Sequence, residues 1–391
     1  MSSPSYYFIN PYTNHSYFTL LSLSRLGPVE VLCPPLALQL LLGQWSMDGL
    51  RMKYSLVGCL LAQPIALLAY IMYISHIIKE PSYLFWLQQA ARILLMPRNR
   101  QVIYCYQDYL LGLFDENTRA ARYIISEFII QIPSNQPNYR SSLRAAQKAH
   151  FVIAPTKVIQ EELKFSTSKV YIAPYGGDKY RYRRKKILIN GFSQHSARTK
   201  SNTIQDSSMI IVARSNSHRK GLDLLLQALL AISARPELSS FPKFHVVICG
   251  SVSPGPLLTS LLKAQSKLST YGFILLSWGQ LSQDSYAALL SRASLFLMPS
   301  RLEGSSYAAI EALSMGVPAL LSKQCGVETF KPDIHGLLID ISSAESLEFA
   351  LKSVLECPSL LQTWRSNLQV DRKLFSWDGY LDRVAEAVGS I

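Results

Sequence analysis

Glu303 and Glu311 are separated by seven residues, and the stretch between them opens Gly304-Ser305-Ser306-Tyr307. Small residues followed by Ala308-Ala309-Ile310 predict a helix beginning near Ser305. The first amides of a helix lack internal partners and sit at the positive end of its dipole, an arrangement that accepts phosphate oxygens. Eight positions at helical rise span about 12 Å, on the order of the distance from a sugar to a ribose across a diphosphate. A carboxylate at each end could then accept hydroxyl hydrogen bonds. Arg214 directly follows a strand-like run, Met209 to Ala213, and Lys220 precedes the next helical run. Both therefore project from one loop at the C-terminal edge of a sheet, where open α/β folds bind ligands. Two cations there would stabilise the charge growing on a departing diphosphate, the task a divalent metal performs elsewhere. No Asp-x-Asp pair at a strand end argues for a metal, so none is expected. Taken singly these spacings are commonplace, since two glutamates on a helix are usually solvated surface; their order along the chain makes the case.

The elements that must position these residues follow from periodicity. Short β-rich runs alternate with helix-period runs through the second half, the grammar of βαβ units and a parallel sheet covered on both faces. Strands are expected at Met209–Ala213, Phe244–Gly250, Phe273–Ser277, Leu295–Met298 and Ala319–Ser322. Helices are expected at Gly221–Ile232, Tyr286–Ser291 and Ser306–Met315. In the first half, Tyr6–Asn10, Val29–Cys33, Gln101–Tyr106, Tyr123–Glu127, Phe151–Ala154 and Val170–Ala173 read as strands. A Ser/Asn/Thr-rich run to about Ser208 reads as a linker. The expected organisation is a basic N-terminal Rossmann-like domain over 1–190, a linker over 191–207, a Rossmann-like domain over 208–374 and a closing helix over 375–391.

In this order and context the chain resembles the family 4, or group 1, glycosyltransferases of the GT-B fold. The resemblance rests on Ile210-Ile211-Val212-Ala213-Arg214 through Lys220-Gly221-Leu222-Asp223, on Ile248-Cys249-Gly250, on Met298-Pro299-Ser300-Arg301-Leu302-Glu303-Gly304 and on Glu311-Ala312-Leu313-Ser314-Met315-Gly316-Val317-Pro318. It implies an α/β architecture of two Rossmann-like domains facing a central cleft, with the C-terminal helix returning to the N-terminal domain. It also implies that Arg214 and Lys220 bind the donor diphosphate, that Glu311 holds the ribose hydroxyls, and that Glu303 binds hydroxyls of the transferred sugar. Gly304 and the backbone amides of Ser305, Ser306 and Tyr307 would lie near sugar and phosphate. Trp278-Gly279-Gln280-Leu281 looks like the loop whose backbone meets the nucleobase. Val152–Thr156 and Pro174–Asp178 match the end of the family's first domain.

The first domain departs from the family pattern. The loop after the first strand, Asn10 to Tyr17, holds no glycine, so Asn14 and His15 are acceptor-side candidates. Where many members carry a histidine, the chain reads Ser126-Glu127-Phe128, which leaves Glu127, or Gln107 and Asp108 after the preceding strand, for acceptor contacts. Retention in the family is explained by attack on the face from which the diphosphate leaves, with a phosphate oxygen taking the acceptor proton, so the missing histidine does not imply an inactive protein.

Charge is lopsided: residues 1–200 hold 23 Lys and Arg against 10 Asp and Glu, whereas the remainder holds 16 of each. The basic half suits an anionic surface, and no nucleic-acid motif accompanies it. Six dispersed cysteines without a C-x-x-C pair read as free thiols, and the absence of a secretory pattern favours the cytoplasm, with peripheral association at a membrane. Leu56–Ile78 is long and apolar enough to span a bilayer, but a span there would split the first domain, so a buried or membrane-dipping helix is expected. The function expected is retaining, metal-independent transfer of a hexose from a nucleoside-diphosphate sugar to a lipid-linked or polysaccharide acceptor, without a cofactor. The alternatives are a catalytically degenerate sugar-nucleotide-binding partner subunit and, disfavoured by Glu303 and Glu311, a sugar epimerase of the same fold.

Overall fold

The computed structural model describes residues 6–9, 29–31, 52–54, 102–106, 123–127, 151–163, 170–178, 209–214, 216–235, 244–271, 274–279 and 281–389. The chain divides into two compact units, Met1–Ala173 with Leu381–Ile391, and Pro174–Tyr380. The expected linker and the apolar segment Leu56–Ile78 lie outside the described residues. Among the described residues no helix is long and apolar enough to cross a membrane.

The first unit is built on a seven-stranded parallel sheet: β1 (Tyr6–Ile9), β2 (Val29–Val31), β3 (Met52–Tyr54), β4 (Val102–Tyr106), β5 (Tyr123–Glu127), β6 (Phe151–Ala154) and β7 (Val170–Ile172). The strand order is β3-β2-β1-β4-β5-β6-β7. A short helix, α1 (Lys157–Leu163), carries the chain from β6 to β7. Every strand anticipated in this half is present within two residues. The three-residue β3 was not anticipated, its Met-Lys-Tyr being too short to show a period.

The second unit holds a six-stranded parallel sheet: β8 (Met209–Ala213), β9 (Phe244–Cys249), β10 (Ile274–Trp278), β11 (Leu295–Met298), β12 (Ala319–Ser322) and β13 (Gly336–Ile339). Its order, β10-β9-β8-β11-β12-β13, is the doubly wound Rossmann order. Its helices are α2 (Leu222–Ser233), α3 (Pro256–Thr270), α4 (Gln283–Arg292), α5 (Tyr307–Ser314), α6 (Ala344–Glu356) and α7 (Ser359–Val370); α8 (Trp377–Gly389) starts in this unit and from Leu381 belongs to the first. Strand side chains alternate between faces. Ile211, Ala213, Val246, Ile248, Leu295 and Leu297 join the cluster that α2, α3, α6 and α7 bury with Leu225, Leu229, Leu261, Leu351 and Trp364. Ile210, Val212, Val247 and Phe296, on the other face, are equally buried. Burial on both sides is why these strands read as continuous apolar runs.

Helix boundaries follow local chemistry. Ser282 caps α4 by accepting from the Ser285 amide at 3.1 Å. After α5, Gly316 takes φ 79° and its amide donates to Leu313, with Pro318 following, which stops the helix. Pro174–Asp178 belongs to the second unit. Tyr175, fully buried, packs among Tyr307, Trp377 and Tyr380. The Gly177 amide donates to the Phe375 carbonyl at 2.8 Å, and Asp178 accepts from the Trp377 amide at 2.7 Å. A side chain at Gly177 would lie 2.5 Å from the Ile310 carbonyl oxygen, so only glycine fits there.

Candidate functional site

The order of the second sheet reverses between β8 and β11, so their C-terminal ends flank its topological switch point. Arg214 leaves β8 there. Its amide donates to the Leu297 carbonyl at 3.2 Å, extending the ladder, and its guanidinium reaches the Cys249 carbonyl at 3.3 Å and lies 6.0 Å from the Tyr286 ring centroid. Arg214 Nε is buried and has no hydrogen-bond partner among the described residues. Beyond it, Asn216 donates to the Ser251 carbonyl at 2.9 Å and fills the space that a side chain at Gly250 would need.

The loop after β8 ends at Gly221, whose φ of 70° is the left-handed region that glycine enters without strain. A Cβ there would sit 2.2 Å from the Pro299 carbonyl oxygen. The loops after β8 and after β11 are thus pressed backbone to backbone, and glycine permits that approach. Lys220, just before this contact, places Nζ 2.9 Å from Glu303 Oε1. Arg219 NH1 reaches the same oxygen at 3.1 Å, and Ser300 Oγ donates to it at 3.0 Å. One carboxylate oxygen therefore gathers three donors, two of them cationic. The side chains of Lys220 and Glu303 are 15% and 14% exposed, enough shelter to strengthen the pairing beyond that of a surface ion pair.

The backbone around Glu303 is tied to the next strand's end. The Glu303 amide donates to the Gln324 carbonyl, Ser322 Oγ donates to the Ser300 carbonyl, and the Cys325 thiol donates to the Met298 carbonyl. Burial raises the Cys325 thiol to about 11 and the Cys249 thiol to about 12, so both are neutral structural groups at ordinary pH. Asp223, in the first turn of α2, is pushed upward by burial but held below the usual carboxylate range by Arg301, with a smaller contribution from His218.

Glu311 lies on α5 and is buried, with Gly177 packed against its amide. Ser306 caps α5, accepting from the Ala309 amide at 3.4 Å. Of the three amides expected to face a donor, that of Ser306 is already committed: it donates to the Cys325 carbonyl at 2.9 Å, because the loop must stay joined to the turn after β12. Tyr307 stacks on Tyr175 with ring centroids 5.1 Å apart. Gly304 and Ser305 are half-buried in the turn ahead of the helix. Gly279 is exposed at the end of β10, its carbonyl accepting from Gly250, and Leu281 follows half-buried; Gln280 lies outside the described residues. So do Asn14, His15 and Asp108. Glu127 ends β5 in register with Tyr106 and Ile153.

Lys220 and Glu303 thus meet at one sheet edge; Arg214 leaves the same edge, but its guanidinium turns toward the end of β9. Sequence reasoning missed Arg219, Asn216, Ser300 and the pairing of Arg301 with Asp223. The run His218-Arg219-Lys220 was a usable signal for Arg219, since adjacent cations in a strand-end loop share its position.

Residues 193–370 match the family described as Glycosyl transferases group 1. That match lies within the second unit. An uncharacterized glycosyltransferase of Methanocaldococcus jannaschii is 24% identical over 178 residues, 44% of this chain and 42% of that protein. The chain thus matches less than half the length of that curated relative. Among solved structures, Anabaena HepE in complex with UDP matches with a TM-score of 0.65 and 16% identity over 99% of this chain and all of that one. Sucrose-phosphate synthase from Thermosynechococcus elongatus matches with a TM-score of 0.60 and 15% identity over 99% of this chain and 98% of that one. At these identities the likeness is one of fold: two Rossmann-like domains of the GT-B type.

Proposed function

We propose that the chain is a retaining, metal-independent glycosyltransferase that moves a hexose from a nucleoside-diphosphate sugar to a lipid-linked or polysaccharide acceptor. The observation that carries this reading is the convergence of Arg219 and Lys220 on Glu303, with Arg214 leaving the neighbouring strand end, at the switch point of a sheet that lies within the match to the group 1 family. Uridine diphosphate is the nucleotide of choice, because HepE structures of the same fold hold UDP and UDP-glucose.

In this reading Arg214 and Lys220 take the diphosphate, and Glu311 takes the ribose hydroxyls. Glu303 accepts from sugar hydroxyls through Oε2, which leaves Oε1 to the cations. Breaking the glycosidic bond leaves its electron pair on the diphosphate. The fixed positive charge stabilises that oxygen without reorganising, and a metal is then unnecessary. The acceptor oxygen bonds to the anomeric carbon on the face the diphosphate leaves, and a phosphate oxygen receives its proton, so no protein base is required. The basic first domain, taken as residues 1–190, is assigned to the acceptor and to an anionic membrane surface on the cytoplasmic side. Acceptor contacts by Asn14, His15, Asp108 and Glu127 form part of this proposal.

A thermal-shift panel of nucleoside diphosphates and their sugars tests it. A ligand at 100 times its dissociation constant stabilises by about 2.7 kcal/mol, and Glu311→Ala is expected to abolish the shift. A shift that survives Glu311→Ala disproves the donor-site assignment. Nucleotide binding with neither transfer nor slow release of sugar from any donor would instead mark a degenerate binding subunit.

A further inference from the structure

The two loops at the switch point exchange arginines. Arg301, from the loop after β11, forks onto Asp223 of α2, NH1 to Oδ1 at 2.8 Å and NH2 to Oδ2 at 2.7 Å. The same NH1 reaches the His218 carbonyl at 2.5 Å, and the Arg301 amide donates to the Arg219 carbonyl at 2.8 Å. Arg219, from the loop after β8, answers in kind: its NH1 donates to the Leu302 carbonyl at 2.7 Å and to Glu303 Oε1 at 3.1 Å. Each loop thus supplies a guanidinium that binds a carbonyl of the other, and between them lies the Gly221–Pro299 approach.

We propose that Arg301, held by Asp223, is a positioning residue that sets the separation of the two loops so that Lys220 and Arg219 meet Glu303 at one point. Its side chain bonds Asp223 and the His218 carbonyl. It acts through backbone: it fixes the carbonyls of His218 and Arg219, immediately ahead of Lys220, while its own main chain lies two residues before Glu303. A guanidinium suits this task because its planar fork takes both carboxylate oxygens and still offers a hydrogen to a carbonyl, a geometry that a lysine ammonium lacks. Binding groups misplaced by about 1 Å lose about a hundredfold in effect, so a staple between two loops governs function without contacting ligand. The inference rests on the functional reading above.

A built-in control separates positioning from plain stability. Arg235, just past the other end of α2, pairs with Glu348 of α6 through Nε and NH2, far along the helix from these loops. The experiment titrates UDP by calorimetry into the wild type, Arg301→Ala, Arg301→Lys and Arg235→Ala, with denaturation midpoints and amide exchange recorded for each. Arg301→Ala is expected to weaken UDP binding about tenfold or more and to speed exchange at the amides of residues 299–303 and 216–221. Arg301→Lys, which keeps the charge and loses the fork, is expected to weaken it comparably. Arg235→Ala should lower the midpoint and leave UDP affinity unchanged. Wild-type affinity in Arg301→Ala, or full retention by Arg301→Lys, overturns the proposal. So does a loss in Arg235→Ala that matches its loss of stability. A wild type that binds none of the nucleotides is a different result: the functional reading falls, and this inference with it.

Discussion

Two charge clusters in the second unit use nearly the same chemistry for different ends. At the switch point, Glu303 Oε1 gathers Lys220, Arg219 and Ser300. Beside the start of α8, Asp371 Oδ2 gathers Lys331 at 2.6 Å and His335 at 2.9 Å. The second cluster is closed. His335 is fully buried, accepts from the Lys331 amide on Nδ1, and meets the edge of Phe375 at 5.2 Å, so both ring nitrogens are satisfied. The first is open-handed: Glu303 takes its three donors on one oxygen, and Arg214 keeps a buried Nε with no hydrogen-bond partner among the described residues. Residue types alone would not tell these clusters apart. Their place relative to the strand reversal does, together with the donors and acceptors left over.

The comparison can be broken at its foundation first. Gly221→Ala forces a side chain into the left-handed region, about 1–2 kcal/mol, and onto the Pro299 carbonyl. A total loss of about 2–4 kcal/mol in denaturant unfolding is expected, with nucleotide binding lost beside it. An unchanged midpoint would mean that the loops are not pressed together as described. Next come the two lysines. Lys220→Ala should weaken UDP binding by about ten- to a hundredfold; Lys331→Ala, whose side chain is half-exposed, should leave UDP binding unchanged and shift stability by about 1 kcal/mol or less. Equal effects on binding would erase the distinction between the clusters.

The smallest effect is in pH. Burial lowers the pKa of His335 against the pull of Asp371, so the unfolded chain binds the proton more readily than the folded one. Stability is therefore expected to fall as pH drops below about 6.5 toward the folded value. Asp371, lowered by its bond from Lys331 against burial and further by His335, keeps its contribution until pH falls below the ordinary aspartate range. Urea midpoints between pH 7 and 5 should flatten in His335→Gln; a slope equal to wild type would remove His335 from the account.

How far the molecule could be read from its sequence depended on whether position or partnership was at stake. Met209–Ala213, Leu295–Met298 and Ala319–Ser322 were legible to the residue because both faces are buried and their apolar runs end sharply. Arg214, Lys220 and Glu303 were legible as residues that follow such runs. Helices α3, α6 and α7 were not assigned; α6 and α7 follow one another with only Cys357 and Pro358 between, which blurs any period. The partnerships were hidden for a different reason. Arg301 and Asp223 are 78 positions apart and Arg219 and Glu303 are 84 apart, so which arginine meets which carboxylate is decided by tertiary register. The commitment of the Ser306 amide to Cys325 was hidden in the same way.

The segment Pro174–Asp178 has a consequence for the order of events during synthesis. Asp178 waits for a partner 199 positions later, at Trp377, and Gly177 fits only against a helix that includes Ile310 and Glu311. A chain emerging from its N-terminus can lay down β8 to β13 in turn, yet the contacts that hold Gly177 and Asp178 behind Glu311 form only once Phe375 and Trp377 have followed. An excised second unit would therefore have to begin at Pro174 and run through Tyr380, and a chain stopped at 374 would leave Tyr175 without two of its three ring neighbours.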